Sequence, residues 1–183
     1  MSKVSVAEVI DKVKETLGEV NPKVDLITLF NLVETELVSE VIKLTDTFVT
    51  KVGPDCEVLV SSFPKKLLSV IDIYYDSKKV GWGYLLENPH DSIGVPGHGD
   101  KEVTIEYHYL PEFKDDDQES DLPPELMDIL VYGVITEYFL VMGDFEKASW
   151  YNRKYNKNLY AKKNSKKLLK KWKNFSNKIY NEV

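Results

Sequence analysis

Cysteine is nearly missing from this 183-residue chain, histidine is rare, and no uncharged apolar run is long. The single cysteine, Cys56, excludes an internal disulfide framework and a cysteine-built metal cluster, and it fits a reducing compartment. A bilayer span needs about 20 apolar residues. The longest candidate, Ile129 to Met142, falls short and contains Glu137. It reads as a buried core helix. The opening MSKVSVAEVID carries charge too early for the apolar centre of a signal peptide. A soluble protein, intracellular while it is being made, is therefore expected.

Charge of one sign is scarce in each part of the chain. Residues 1–144 hold 12 Lys and Arg against 28 Asp and Glu, a net −16, while residues 145–183 hold 12 against 2, a net +10. Together they give the overall −6. An acidic body followed by a basic tail predicts an interaction arm. The bland alternative is a solvated lysine-rich terminus with no partner.

Ser5-Val-Ala-Glu8 has the form of a capping box, with Val6, Val9, Ile10, Val13 and Leu17 at helical spacing and Gly18 as the stop. A helix over 5–17 follows. Asn21-Pro22 predicts the start of a second, 22–44, with Leu26, Phe30, Val33, Leu37, Val41 and Leu44 as its stripe. From Asp46 the composition turns β-branched and aromatic. Four or five short antiparallel strands are expected within 46–110, with GVPGHG (94–99) as a loop among them. KDDDQESD (114–121) reads as an acidic linker. A nearly all-round apolar helix over 125–142 comes next, then a helix over 145–160 with Phe145, Ala148, Tyr151, Tyr155 and Leu159 turned inward. A last amphipathic helix is expected from Ser165 to about Tyr180. The class predicted is α+β.

Catalytic candidates are thin. GVPGHGD lacks the Lys-Ser/Thr pair of a P-loop and opens no helix. His90, His98 and His108 lack zinc-type spacing. Cys56 sits between Asp55 and Glu57 with no histidine near it in sequence, poor company for a nucleophilic thiolate. Asp115–Asp117 lack the glycine and distal glutamate of a calcium loop. No enzyme, metal or cofactor is predicted; an activity centred on His90 to His108 is the weakest reading. GDFEKAS resembles one turn of a tetratricopeptide repeat, but no second copy follows at a period of about 34 residues. The basic terminal helix suits a groove on another protein best, then nucleic acid, then a membrane surface.

Three segments occur in a telling order: FPKKLLSVIDIYYDSKK (63–79), EVTIEYHYLPE (102–112) and DLPPELMDILVYGVITEYFLVMGDFEKASWYNRKYNKNL (121–159). Together they resemble the head–tail connector proteins of tailed bacteriophages, also called adaptor or head-completion proteins. The resemblance runs from Met1 to about Leu159. It implies a structural virion protein at the head–tail neck, made in the host bacterial cytoplasm. Such proteins form a homo-oligomeric ring, usually a dodecamer, below the portal protein, and present a platform for the next tail or neck protein. Genomic DNA passes through the ring without specific binding. No membrane is involved.

The same resemblance implies a helical bundle with an inserted small antiparallel β-sheet and an extended basic C-terminal helix. Residues 1–161 would be the connector-like domain, with helix 125–142 at its centre, and residues 162–183 a basic arm. Docking on the portal would fall to Trp150, Tyr151, Arg153, Lys167, Lys170, Lys171, Trp172 and Phe175, since aromatic and Arg side chains dominate interface hot spots. The rival expectation is a nucleic-acid-binding module that grips with residues 153–178.

Overall fold

A computed structural model describes residues 3–84 and 91–163. The chain divides into two units, a helical one built from residues 1–37 and 113–183 and a β-rich one built from residues 38–112.

In the helical unit, α1 (Val6–Leu17) buries Val6, Val9, Ile10 and Val13. It ends at Gly18, whose φ of 73° suits a residue without a Cβ and whose N–H reaches Lys14 O at 2.9 Å. Ser5 stands at the N-cap, yet its side chain caps nothing. The first amides of α1 are satisfied from elsewhere: Val6 N donates to Gln118 O at 3.0 Å and Ala7 N to Asp116 O at 3.1 Å. The capping-box expectation fails because a neighbouring backbone supplies the acceptors first.

The second helix, α2, is Leu26–Glu40, shorter at both ends than the expected 22–44. Asp25 caps it, accepting from Ile27 N at 3.0 Å and from the Thr28 hydroxyl at 2.7 Å. Pro22 belongs to the preceding turn. A 3-10 turn at Pro124–Leu126 leads into α3 (Met127–Val141), and α4 is Phe145–Lys163. Helix α3 buries Ile129, Leu130, Val134 and Ile135 completely. Its Gly133 faces both α2 and α4: a Cβ there would stand 2.5 Å from Val33 Cγ1 and 3.2 Å from Tyr155 Cε2. The close approach of these helices requires glycine.

Among the described residues seven strands occupy the other unit: β1 (Leu44–Lys51), β2 (Glu57–Leu59), β3 (Leu67–Tyr75), β4 (Lys78–Val80), β5 (Gly83–Tyr84), β6 (Ser92–Gly94) and β7 (Glu102–Tyr109). Four form an antiparallel sheet in the order β1-β7-β3-β4, and three form a second sheet in the order β2-β6-β5. β1 and β7 pair without interruption from Leu44–Tyr109 to Lys51–Glu102, whereas β3 shifts register twice along β7. Asp76 and Ser77, both at positive φ, make the two-residue turn between β3 and β4. Val52, Val58, Phe63, Val70, Ile73, Ile93, Val95, Val103, Ile105 and Tyr107 form a core within this unit.

These strands overturn the expected architecture. The protein is mixed α/β, not a helical bundle with a small inserted sheet: the two sheets bury a core of their own. Sequence patterning undercounted the strands because β4, β5 and β6 have two or three residues each, too few to show a period of two. The fully buried β6 overlaps the start of the expected loop. The helix expected from Ser165 to Tyr180 lies outside the described residues.

Candidate partner interface

The hairpin of α3 and α4 closes through a short turn at Gly143-Asp144. Gly143, at φ 74°, allows its own N–H to reach Leu140 O and that of Asp144 to reach Phe139 O, at 3.1 and 2.9 Å. Asp144 then caps α4: its Oδ1 accepts from Lys147 N at 3.1 Å, and its Oδ2 pairs with Lys147 Nζ at 2.9 Å. The hydrogen bond from Lys147 holds the Asp144 carboxyl below its ordinary range and raises the Lys147 ammonium in turn. Ala148, nearly fully buried, lets the two helices close.

Past the turn, aromatic rings interlock. Tyr151 stacks on Phe139 with centroids 5.6 Å apart and planes 16° apart, and it lies 6.3 Å from the Tyr132 ring. Trp150 meets the edge of Tyr151 at 4.6 Å, and Lys154 Nζ sits 3.6 Å above the Trp150 ring. A cation held over an indole face is attracted by the ring quadrupole, and here it fixes the orientation of the ring.

Around this packed seam the surface is apolar. Val141 is 61% exposed, Phe145 71% and Trp150 46%, with Leu140 and Met142 also exposed. The sequence pattern places Val141 and Phe145 inward. Both lie at the hairpin's end, where helical periodicity continues but, among the described residues, no neighbouring element covers it. The exposed cations Lys147, Arg153 and Lys157 share α4 with Phe145 and Trp150. The arrangement is an apolar tip with a basic flank, a composition suited to a partner surface that is apolar at its centre and acidic at its edge.

Of the docking residues expected from the sequence, Trp150 and Arg153 are exposed on α4, while Tyr151 is half-buried and spends its ring on the α3–α4 packing. Lys167, Lys170, Lys171, Trp172 and Phe175 lie outside the described residues. So does His90. Among the described residues no three His, Cys, Asp or Glu side chains gather in a way that could hold a metal, and no helix is long and apolar enough to cross a membrane. His98 packs on Tyr75, while His108 lies on β7 beside Thr45. The segment read as a solvated acidic linker is anchored instead: Lys114 and Ser120 are buried, and both bond to α2. Sequence reasoning missed those α2 partners, Asn31 and Glu34, because polar residues in an amphipathic helix are read as facing water. The chain matches no known family model and no curated protein sequence.

Proposed function

We propose that this protein is a structural component of a tailed-bacteriophage virion, a head–tail connector that forms a ring below the portal and extends the DNA channel. The observation that carries the reading is the exposed apolar tip of the α3–α4 hairpin, Leu140, Val141, Met142, Phe145 and Trp150, flanked by cations. Side chains of this size left in water on one end of a hairpin mark a contact surface. The three segments that carry the resemblance also fall on β3 and most of β4, on β7, and on α3 and most of α4. Adjacent subunits would meet head to tail and close into a ring. An acidic body repels the DNA sliding past it, while the basic C-terminal residues suit an acidic neighbour.

Quantitative mass spectrometry of purified particles tests this directly. The expected result is a copy number equal to that of the portal. Absence from intact particles would remove the connector reading. Attention would then move to duplex-DNA binding by the basic residues, whose affinity should fall steeply with salt.

A further inference from the structure

Glu34 is fully buried in α2, and its two oxygens are treated unequally. Oε1 accepts from the Ser120 hydroxyl at 2.5 Å and from Asp121 N at 2.9 Å. Oε2 is buried with no hydrogen-bond partner among the described residues. One turn earlier, Asn31 exchanges two hydrogen bonds with the Lys114 backbone, Nδ2 to O at 2.9 Å and Oδ1 from N at 2.7 Å. Asn31 and Glu34 thus hold both ends of residues 114–121. That segment in turn supplies the acceptors for the first two amides of α1, and Ser120 N donates to Val4 O at 2.8 Å. All of these residues belong to the helical unit, which the chain leaves after Leu37 and re-enters at Phe113.

The charge state of Glu34 decides how strong this clasp is. The charged groups that act on it, Lys114 and Asp121, both belong to the segment it holds, and they pair with each other at 2.8 Å. Lys114 pulls the Glu34 carboxyl down and Asp121 pushes it up, and burial is a larger influence than either. A charged Glu34 would leave half its negative charge on an oxygen with no donor, the costliest way to bury a polar group. A protonated Glu34 keeps both donors on its carbonyl oxygen and carries no charge. Burial is also the largest influence on the Glu34 carboxyl, raising it above the ordinary 4.5 against the pull of Ser120 and Lys114.

We propose that Glu34 is a proton-operated clasp: with the proton on, it holds residues 114–121 against α2, and when the carboxylate charges, the hold weakens and the start of α1 loosens with it. The inference stands apart from the connector reading and survives or fails separately.

Amide hydrogen exchange on the full chain, followed by NMR from about pH 5 to about pH 8 and referenced to unstructured-peptide rates, reads the clasp directly. Protection at Val6, Ala7, Lys114 and Asp121 should fall together as pH rises. The fall should be roughly tenfold for each unit by which burial displaces the Glu34 titration. Glu34→Gln, which keeps the acceptor and cannot charge, should show no such slope. Flat protection in the native protein, or an equal slope in the variant, overturns the proposal. Should the variant fail to fold, the carboxyl-carbon titration of Glu34 in the native protein decides the matter. A midpoint at the ordinary 4.5 overturns the proposal. In Asp121→Asn that midpoint should drop, because the negative charge that raises it is gone while the pull of Lys114 stays.

Discussion

Gly133 shows how one missing atom sets the spacing of three helices. Val33 is buried and β-branched, so in a helix it has essentially one rotamer and cannot swing away from a new methyl group. Gly133→Ala gains helix propensity of about 1 kcal/mol but drives that methyl into Val33 Cγ1. Overpacking of this kind costs about 1–3 kcal/mol, so the variant should be destabilised on balance. Adding Val33→Ala removes the obstructing carbon. The double variant should then be less destabilised than the two single changes sum to. Urea unfolding midpoints of the four proteins read this coupling, and strict additivity would mean that the helices separate freely at Gly133.

At the level of elements, His108 lies on the central strand β7, opposite Thr45 of β1 and Ser69 of β3. Burial is the main reason its imidazole is pushed below the ordinary 6.5; Lys43 adds to this, while a hydrogen bond with the Leu44 backbone opposes it. The folded strand pair therefore binds a proton less readily than the unfolded chain does. Its contribution to stability is full above about pH 6.5 and declines as pH falls below that value. Amide protection along β1 and β7 should drop on acidification, opposite in direction to the Glu34 clasp, and His108→Gln should flatten it. Strand β7 was also the most legible part of the sequence. Val103, Ile105 and Tyr107 alternate with Thr104, Glu106 and His108 over eight residues, long enough for the period to declare itself. The two-residue β5 and the three-residue β6 declare nothing, and without them the sheets look like an insertion in a helical protein. At the candidate interface the aromatic content of α4 singled out Trp150. The exposure of Val141 and Phe145 depends on where the hairpin ends relative to its neighbours, which no local pattern encodes. Glu34 was missed for a related reason: a buried carboxylate is identified by its partner, and Ser120 and Asp121 lie more than eighty residues away. The Asp25 cap has local partners, Ile27 and Thr28, and was passed over because Asn21-Pro22 offered an earlier helix start.

For the whole molecule, charge and core are distributed differently along the chain. The buried apolar side chains of the described residues run from Val4 to Ala148, whereas the net +10 begins at residue 145. Residues 164–183 contribute six lysines and one glutamate, so a chain ending at Lys163 goes from −6 to −11 while keeping every one of those buried side chains. If the basic residues act as an arm in assembly, the shortened chain should keep its far-UV circular dichroism. Its thermal midpoint should stay within about 2 °C, a change under about 1 kcal/mol for a chain of this size. It should nevertheless fail to enter particles when supplied in place of the full chain. Partial assembly by the full chain should also weaken as salt is raised, since exposed charges are screened beyond a Debye length of about 8 Å at physiological ionic strength. A shortened chain that melts many degrees earlier would mean that its last residues belong to the helical core. A shortened chain that folds and assembles normally would assign docking to the apolar tip of the α3–α4 hairpin alone, where Val141→Asp and Phe145→Asp become the decisive substitutions.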